Sequence, residues 1–135
     1  EMAECSGTHP VVVRIGGQHH VRSIQRMAPN GDLIFFSAID EGLVLTLAEP
    51  MPMADHLDQE LSRLSEGGAP AAILACDCIL RRIEAEEKQL FGQISGILRK
   101  HRVLGFSTYG EQMGTVHVNQ TMTGIAIYPP PDPAA

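Results

Sequence analysis

Cys76 and Cys78 flank Asp77, and Arg81 and Arg82 follow within one helical turn. A thiol placed where a strand gives way to a helix feels both the helix N-terminus and adjacent guanidinium charge, and each favours the thiolate. On that chemistry Cys78 is a candidate nucleophile or redox centre. The same residues also read without chemistry, with Cys76 a small core residue, Asp77 a helix cap and Cys78 a half-buried neighbour. A structural zinc centre needs four closed ligands, and Cys-x-Cys combined with His19, His20 or His117 has no recognised spacing for one.

A second concentration of polar chemistry lies in residues 105–124, GFSTYGEQMGTVHVNQTMTG. Thr108, Tyr109, Glu111, Asn119 and Gln120 supply donors and acceptors for an amine or a hydroxyl, and Arg22 and Arg81 could clamp a carboxylate bidentately. Asp77, Cys78, Gly110 and Thr121 complete the candidate ligand-binding set, with Gly110 letting backbone approach the ligand. His117, between two valines, suits a metal or haem iron through its neutral imidazole, and suits equally a hydrogen-bonded place on a solvated strand. His19 and His20 point to opposite faces of any strand that carries them, so at most one faces a given pocket. Glu111 and His117 could act as an acid and a base. Beyond that pair there is no Ser-His-Asp arrangement, no phosphate loop and no convincing pair of carboxylates, and no catalytic residue is assigned.

The elements that must position these residues follow from periodicity. HPVVVRI and HHVRSIQRM are β-branched runs around Gly16-Gly17, which predicts a hairpin. NGD at 30–32 predicts the next turn, LIFFSAI a further strand and GLVLTLAE the one after. Met53, Leu57, Leu61 and Leu64 recur at helical spacing and Gly67-Gly68 closes that helix. APAAILACDC, apolar at successive positions, predicts a strand buried on both faces. Ile83, Leu90, Phe91, Ile94, Ile97 and Leu98 predict one long helix, acidic at its start and basic at its end. RVLGFSTYG and QTMTGIAIY predict the last two strands. The expected fold is α+β, or mixed α/β: an N-terminal β-meander, then a strand-helix-strand crossover, in a mixed sheet with two main helices packed against it. Ligands favour the carboxyl ends of strands in such sheets, which places CDC and STYGE together.

The 135 residues are enough for a single core. A net charge of −6 disfavours a partner that is bound through its phosphate backbone, so nucleic acid is excluded as an expected partner. No membrane span or leader is evident, and three cysteines, an odd number without framework spacing, suit a reducing cytoplasm. Residues 1–8 are expected to form an N-terminal segment, 9–128 the domain and 129–135 a proline-rich tail, as in a fragment of a longer chain.

ACDCILRRIEAE, VLGFSTYGEQ and HVNQTMTGIAIY together, with VRSI and GDLIFFSAIDEGLVLTL before them, resemble the C-terminal domain of the FIST family of bacterial sensory proteins. The resemblance runs from about His9 to Tyr128. It implies a cytoplasmic sensory domain for a small ligand, with amino acids proposed for the family. It also implies an N-terminal FIST domain in the same full-length protein, and a histidine kinase or a diguanylate cyclase or phosphodiesterase downstream. A subset of the family binds haem and senses nitric oxide. GTVHVNQT is similar to that subset, which makes His117 the first candidate iron ligand and haem the possible cofactor.

Three classes of function follow, in this order. A sensor gains stability on binding its ligand and performs no turnover. An interaction or dimerisation module exposes a broad apolar patch. An enzyme depends on Cys78 or on Glu111 and His117.

Overall fold

The computed structural model describes residues 11–130; the expected N-terminal segment and the end of the proline-rich tail lie outside them. Strand β1 (Val11–Ile15) turns back antiparallel into β2 (Gln18–Arg22), with Val13 opposite His20 and Ile15 opposite Gln18. Gly16 and Gly17 both take positive φ, at 59° and 84°, which is the backbone of the tight hairpin turn that matches strand twist. The run expected as one strand from His19 to Met27 is divided at Ser23. The chain leaves the first ribbon there and forms β3 (Ile24–Met27), which pairs with β4 (Leu33–Phe35) across a register shift between Ile24 and Arg26. Strand β5 (Leu45–Leu47) returns to pair with β1, not with β4. The first third is thus a three-stranded sheet in the order β2-β1-β5 beside a separate ribbon, and not a simple meander.

Helix α1 (Met53–Arg63) begins after Pro52, whose carbonyl accepts from the His56 amide at 3.0 Å. It buries Met53, Leu57 and Leu61 of the expected stripe together with Ala54, whereas Leu64, the fourth member of that stripe, is the exposed C-cap. Strand β6 (Ala72–Cys78) follows. The expected long helix is two helices, α2 (Ile79–Glu87) and α3 (Phe91–Lys100). Gln89 between them takes φ 56°; its amide donates to the Glu86 carbonyl, and the Leu90 amide reaches back to Ala85 at 2.8 Å. This pair of bonds around a left-handed residue is the Schellman stop signal, here formed without glycine.

Strand β7 (Val103–Thr108) lies parallel to β6, and β10 (Met122–Ile127) lies antiparallel on its other side, giving the mixed sheet β10-β6-β7. One face carries the core: Leu57 and Leu61 of α1 meet Ile73, with Ile94, Ile97, Leu98, Val103, Met122 and Ala126 packed around them. The opposite face is open. Leu74 is 50% exposed, Leu104 69%, Phe106 62% and Ile125 66%, so β6 is covered on one face only and not on both as its unbroken apolar run predicts. The helices all lie on the other side. Between β7 and β10 the chain forms a short antiparallel ribbon, β8 (Glu111–Met113) and β9 (Val116–Val118), turning at Gly114.

Candidate functional site

Parallel register sets Cys78 opposite Thr108 and Asp77 opposite Ser107, so CDC and the start of STYGE meet at one sheet end. Antiparallel register adds Met122 beside Asp77, and the Cys78 amide donates to the Thr121 carbonyl at 3.0 Å. Three polar groupings gather there.

The first is built around Glu111, a carboxylate only 4% exposed. The hydroxyls of Thr108 and Thr121 donate to its two oxygens, Thr108 to Oε1 and Thr121 to Oε2 at 2.8 Å. Asp77 stands nearby with its Oδ1 2.7 Å from Nε of Arg81. Burial pushes the Asp77 carboxyl above the usual carboxylate range, the Glu111 charge pushes the same way, and the Arg81 guanidinium opposes both.

The second grouping joins the N-terminal sheet to the β8–β9 ribbon. Arg22 is 6% exposed, and its Nη1 donates to the carbonyl of Val21 at 3.2 Å and to that of His117 at 3.4 Å. Its buried Nε has no partner among the described residues. Asn119 is 1% exposed, and neither its Nδ2 nor its Oδ1 has a partner among the described residues. Gly110, at φ 147°, lies against His117 and Asn119: a Cβ there would collide with Nε2 of His117 and come within 3.0 Å of Nδ2 of Asn119.

The third is a chain of bonds. Ser23 Oγ donates to Gln120 Oε1 at 3.4 Å, and Gln120 Nε2 donates to Glu84 Oε2 at 3.3 Å. Lys88 then pairs with the other oxygen of Glu84 at 2.6 Å. Ser23 and Glu84 are members that sequence reasoning missed. A serine set within the β-branched run HHVRSIQRM was the available signal for one of them.

Of the expected ligand-binding residues, Arg22, Asp77, Arg81, Thr108, Gly110, Glu111, Asn119, Gln120 and Thr121 take part in these groupings. Tyr109 is 91% exposed and Cys78 is fully buried. Cys78 occupies the N-cap position of α2 without capping through its sulfur, and its burial denies a redox partner access to the thiol. Among the described residues no three His, Cys, Asp or Glu side chains are placed to hold a metal ion. His117 is exposed, with Nε2 turned onto Gly110. A haem needs apolar walls around its ligand, and His117 stands exposed and lines none of the three clefts that border the site. These residues do not fit the group.

Three clefts border the site. One of about 630 Å³ includes Gln120, Thr121 and Arg81, and a smaller one of about 250 Å³ includes Gln120, Glu84 and Arg81. Asp77 and Arg81 also reach a third, of about 720 Å³, between the helices and the sheet. Arg22, Asn119 and Glu111 line none of the three.

The sequence pattern of the FIST C domain matches residues 1–114. The chain belongs to this family. FIST C domains are sensory domains, so the general role is signalling. The match takes in the CDC strand, both following helices and Glu111. His117, Asn119, Gln120 and Thr121, on which the resemblance to the haem-binding subset rests, follow the matched stretch. No curated protein and no solved structure was found to match. Among the described residues of this FIST C domain, no helix is long and apolar enough to cross a membrane.

Proposed function

We propose that this FIST C domain senses a small zwitterion of the α-amino acid class at the junction of its N-terminal sheet with the β8–β9 ribbon. The observation that carries this reading is Asn119, fully buried with both side-chain polar atoms unpartnered among the described residues. Leaving a buried amide unpaired costs about 1–3 kcal/mol, and an outside group that supplies an acceptor and a donor relieves it. The unpartnered Nε of Arg22 offers the charge-assisted bond a ligand carboxylate takes. Asn119 Oδ1 accepts from the ammonium, and Glu111 supplies compensating negative charge.

Because Arg22 and Asn119 line none of the three clefts, the ligand would enter as the marginal β8–β9 ribbon opens, and binding would then hold the ribbon to β2 and damp its motion, which is what a partner reads. The open sheet face of Leu74, Leu104, Phe106 and Ile125 favours a docking role beside the sensory one, and we assign it to the N-terminal FIST domain of the full-length protein. A kinase or a cyclic-di-nucleotide enzyme would take the output, in the cytoplasm.

The test is a thermal-shift and calorimetric screen of the twenty amino acids, repeated on Asn119→Leu. Saturable stabilisation by one chemical class, lost in the variant, supports the reading. No shift with any of them, together with a saturable Soret band on adding haem that disappears in His117→Ala, replaces it with the haem sensor.

A further inference from the structure

The 720 Å³ cleft lies between α2, α3 and the helix-facing side of the sheet, within the size range of cavities that hold small organic ligands. Its walls are apolar: Ala85 of α2, Phe91, Ile94 and Leu98 of α3, and Val103 of β7. Its charge is opposite to that of the molecule. The chain carries sixteen acidic and ten basic residues. Yet Arg81, Arg82, Arg99 and Arg102 all line this cleft, against one carboxylate, Asp77. Asp77 is already held by Arg81. The remaining three guanidinium groups make no ion pair among the described residues, although their helix neighbours do: Lys88 pairs with Glu84, and Lys100 with Asp58. Arg102 is fixed at the mouth by its backbone. Its φ is 55°, its amide donates to the Arg99 carbonyl and its carbonyl accepts from Ile73 at 3.0 Å.

We infer that this cleft binds an amphipathic monoanion, a medium-chain carboxylate whose hydrocarbon body lies against Ile94, Leu98 and Val103 and whose head group is held by Arg99 and Arg102. Hydrocarbon removed from water supplies the attraction, at roughly 0.8 kcal/mol per methylene in transfer terms. Guanidinium groups, planar and weakly hydrated, supply the selectivity for a carboxylate head. The competing account is that Arg99 and Arg102 only offset the dipole at the C-terminus of α3, which requires no ligand. This inference does not rest on the amino-acid site, which it meets only at the Asp77–Arg81 pair.

The experiment is calorimetric titration of the 135-residue chain with decanoate below its micelle concentration, with decanol and decyltrimethylammonium as controls. Decanoate is expected to bind saturably, decanol at least about tenfold more weakly, and the cation not at all, since a lost charge-assisted hydrogen bond is worth about that factor or more. Arg99→Gln combined with Arg102→Gln should weaken decanoate about tenfold and leave decanol unchanged. Arg82→Gln, on the other helix, should weaken it in the same direction with circular dichroism unaltered. Asn119→Leu should leave decanoate binding intact, which separates this cleft from the amino-acid site. Equal binding of decanoate and decanol, unchanged binding in the arginine variants, or no saturable binding would overturn the inference and leave dipole compensation as the role of these side chains.

Discussion

At the residue scale, Asn119 sets stability against function. An asparagine with both polar atoms unpaired in the interior is a standing cost to the unliganded fold. Asn119→Leu, similar in volume, should therefore raise unfolding free energy by about 1 kcal/mol in urea titrations while abolishing the response to amino acids. Glu111 is the reverse case, since its oxygens satisfy two threonine hydroxyls. Glu111→Ala should cost about 2–3 kcal/mol, measured the same way. Asp77 gives a pH signature. Its folded pKa lies above its unfolded one, chiefly through burial, so the folded state binds the proton more tightly. Stability should fall as pH rises through the window between the ordinary carboxylate range and that raised value, and Asp77→Asn should flatten the slope. Asp58, lowered by its hydrogen bonds to Lys100 and His101, works in the opposite sense: its contribution is present above the ordinary carboxylate range and is lost as pH falls through its folded pKa.

At the element scale, the helix stop at Gln89 was invisible to pattern reading because no glycine or proline marks it. The apolar period runs on from Ile83 to Leu98 across the break, and only the backbone shows that Gln89 is left-handed. Non-glycine residues pay roughly 1 kcal/mol there, so Gln89→Gly should raise the melting temperature by several degrees. Where local signals agree with the fold, the sequence was readable: Gly16-Gly17 between β-branched runs, the Met53–Leu57–Leu61 stripe, and the apolar runs that became β6, β7 and β10. The β8–β9 ribbon was missed because its strands are three residues each and its turn is one glycine in a polar run. Pairing of β5 with β1 was missed because choice of strand partner is a long-range property that no window of sequence carries.

At the scale of the whole molecule, the two faces of the β10-β6-β7 sheet differ in what covers them. The helix-covered face of β10-β6-β7 holds the core, whereas Phe106 and Leu104 stand on a face with no cover. Phe106→Lys should leave the melting temperature within about 2 °C, because an exposed side chain contributes little to folding, and should weaken binding of a separately produced N-terminal FIST domain measured by calorimetry. The site's membership was partly legible for a related reason. Cys78 and Thr108 are neighbours through a parallel crossover that the sequence pattern implies, so CDC and STYGE were joined correctly. Arg22 and Asn119 sit ninety-seven positions apart, and nothing in their local surroundings announces that both are buried.

The division of the strands among two sheets and two ribbons also sets a hierarchy of opening. A two-stranded ribbon is marginal by itself, so the amides of β8–β9 should exchange with solvent faster than those of β6, which is paired on both sides. The ribbon is held from outside by Arg22, and the turn beyond β9 by Ser23, through bonds of 3.4 Å each. A ligand engaging Arg22 and Asn119 would thus report its presence as slowed deuterium uptake at Glu111–Val118. The message passed onward would be a loss of local motion rather than a change of shape.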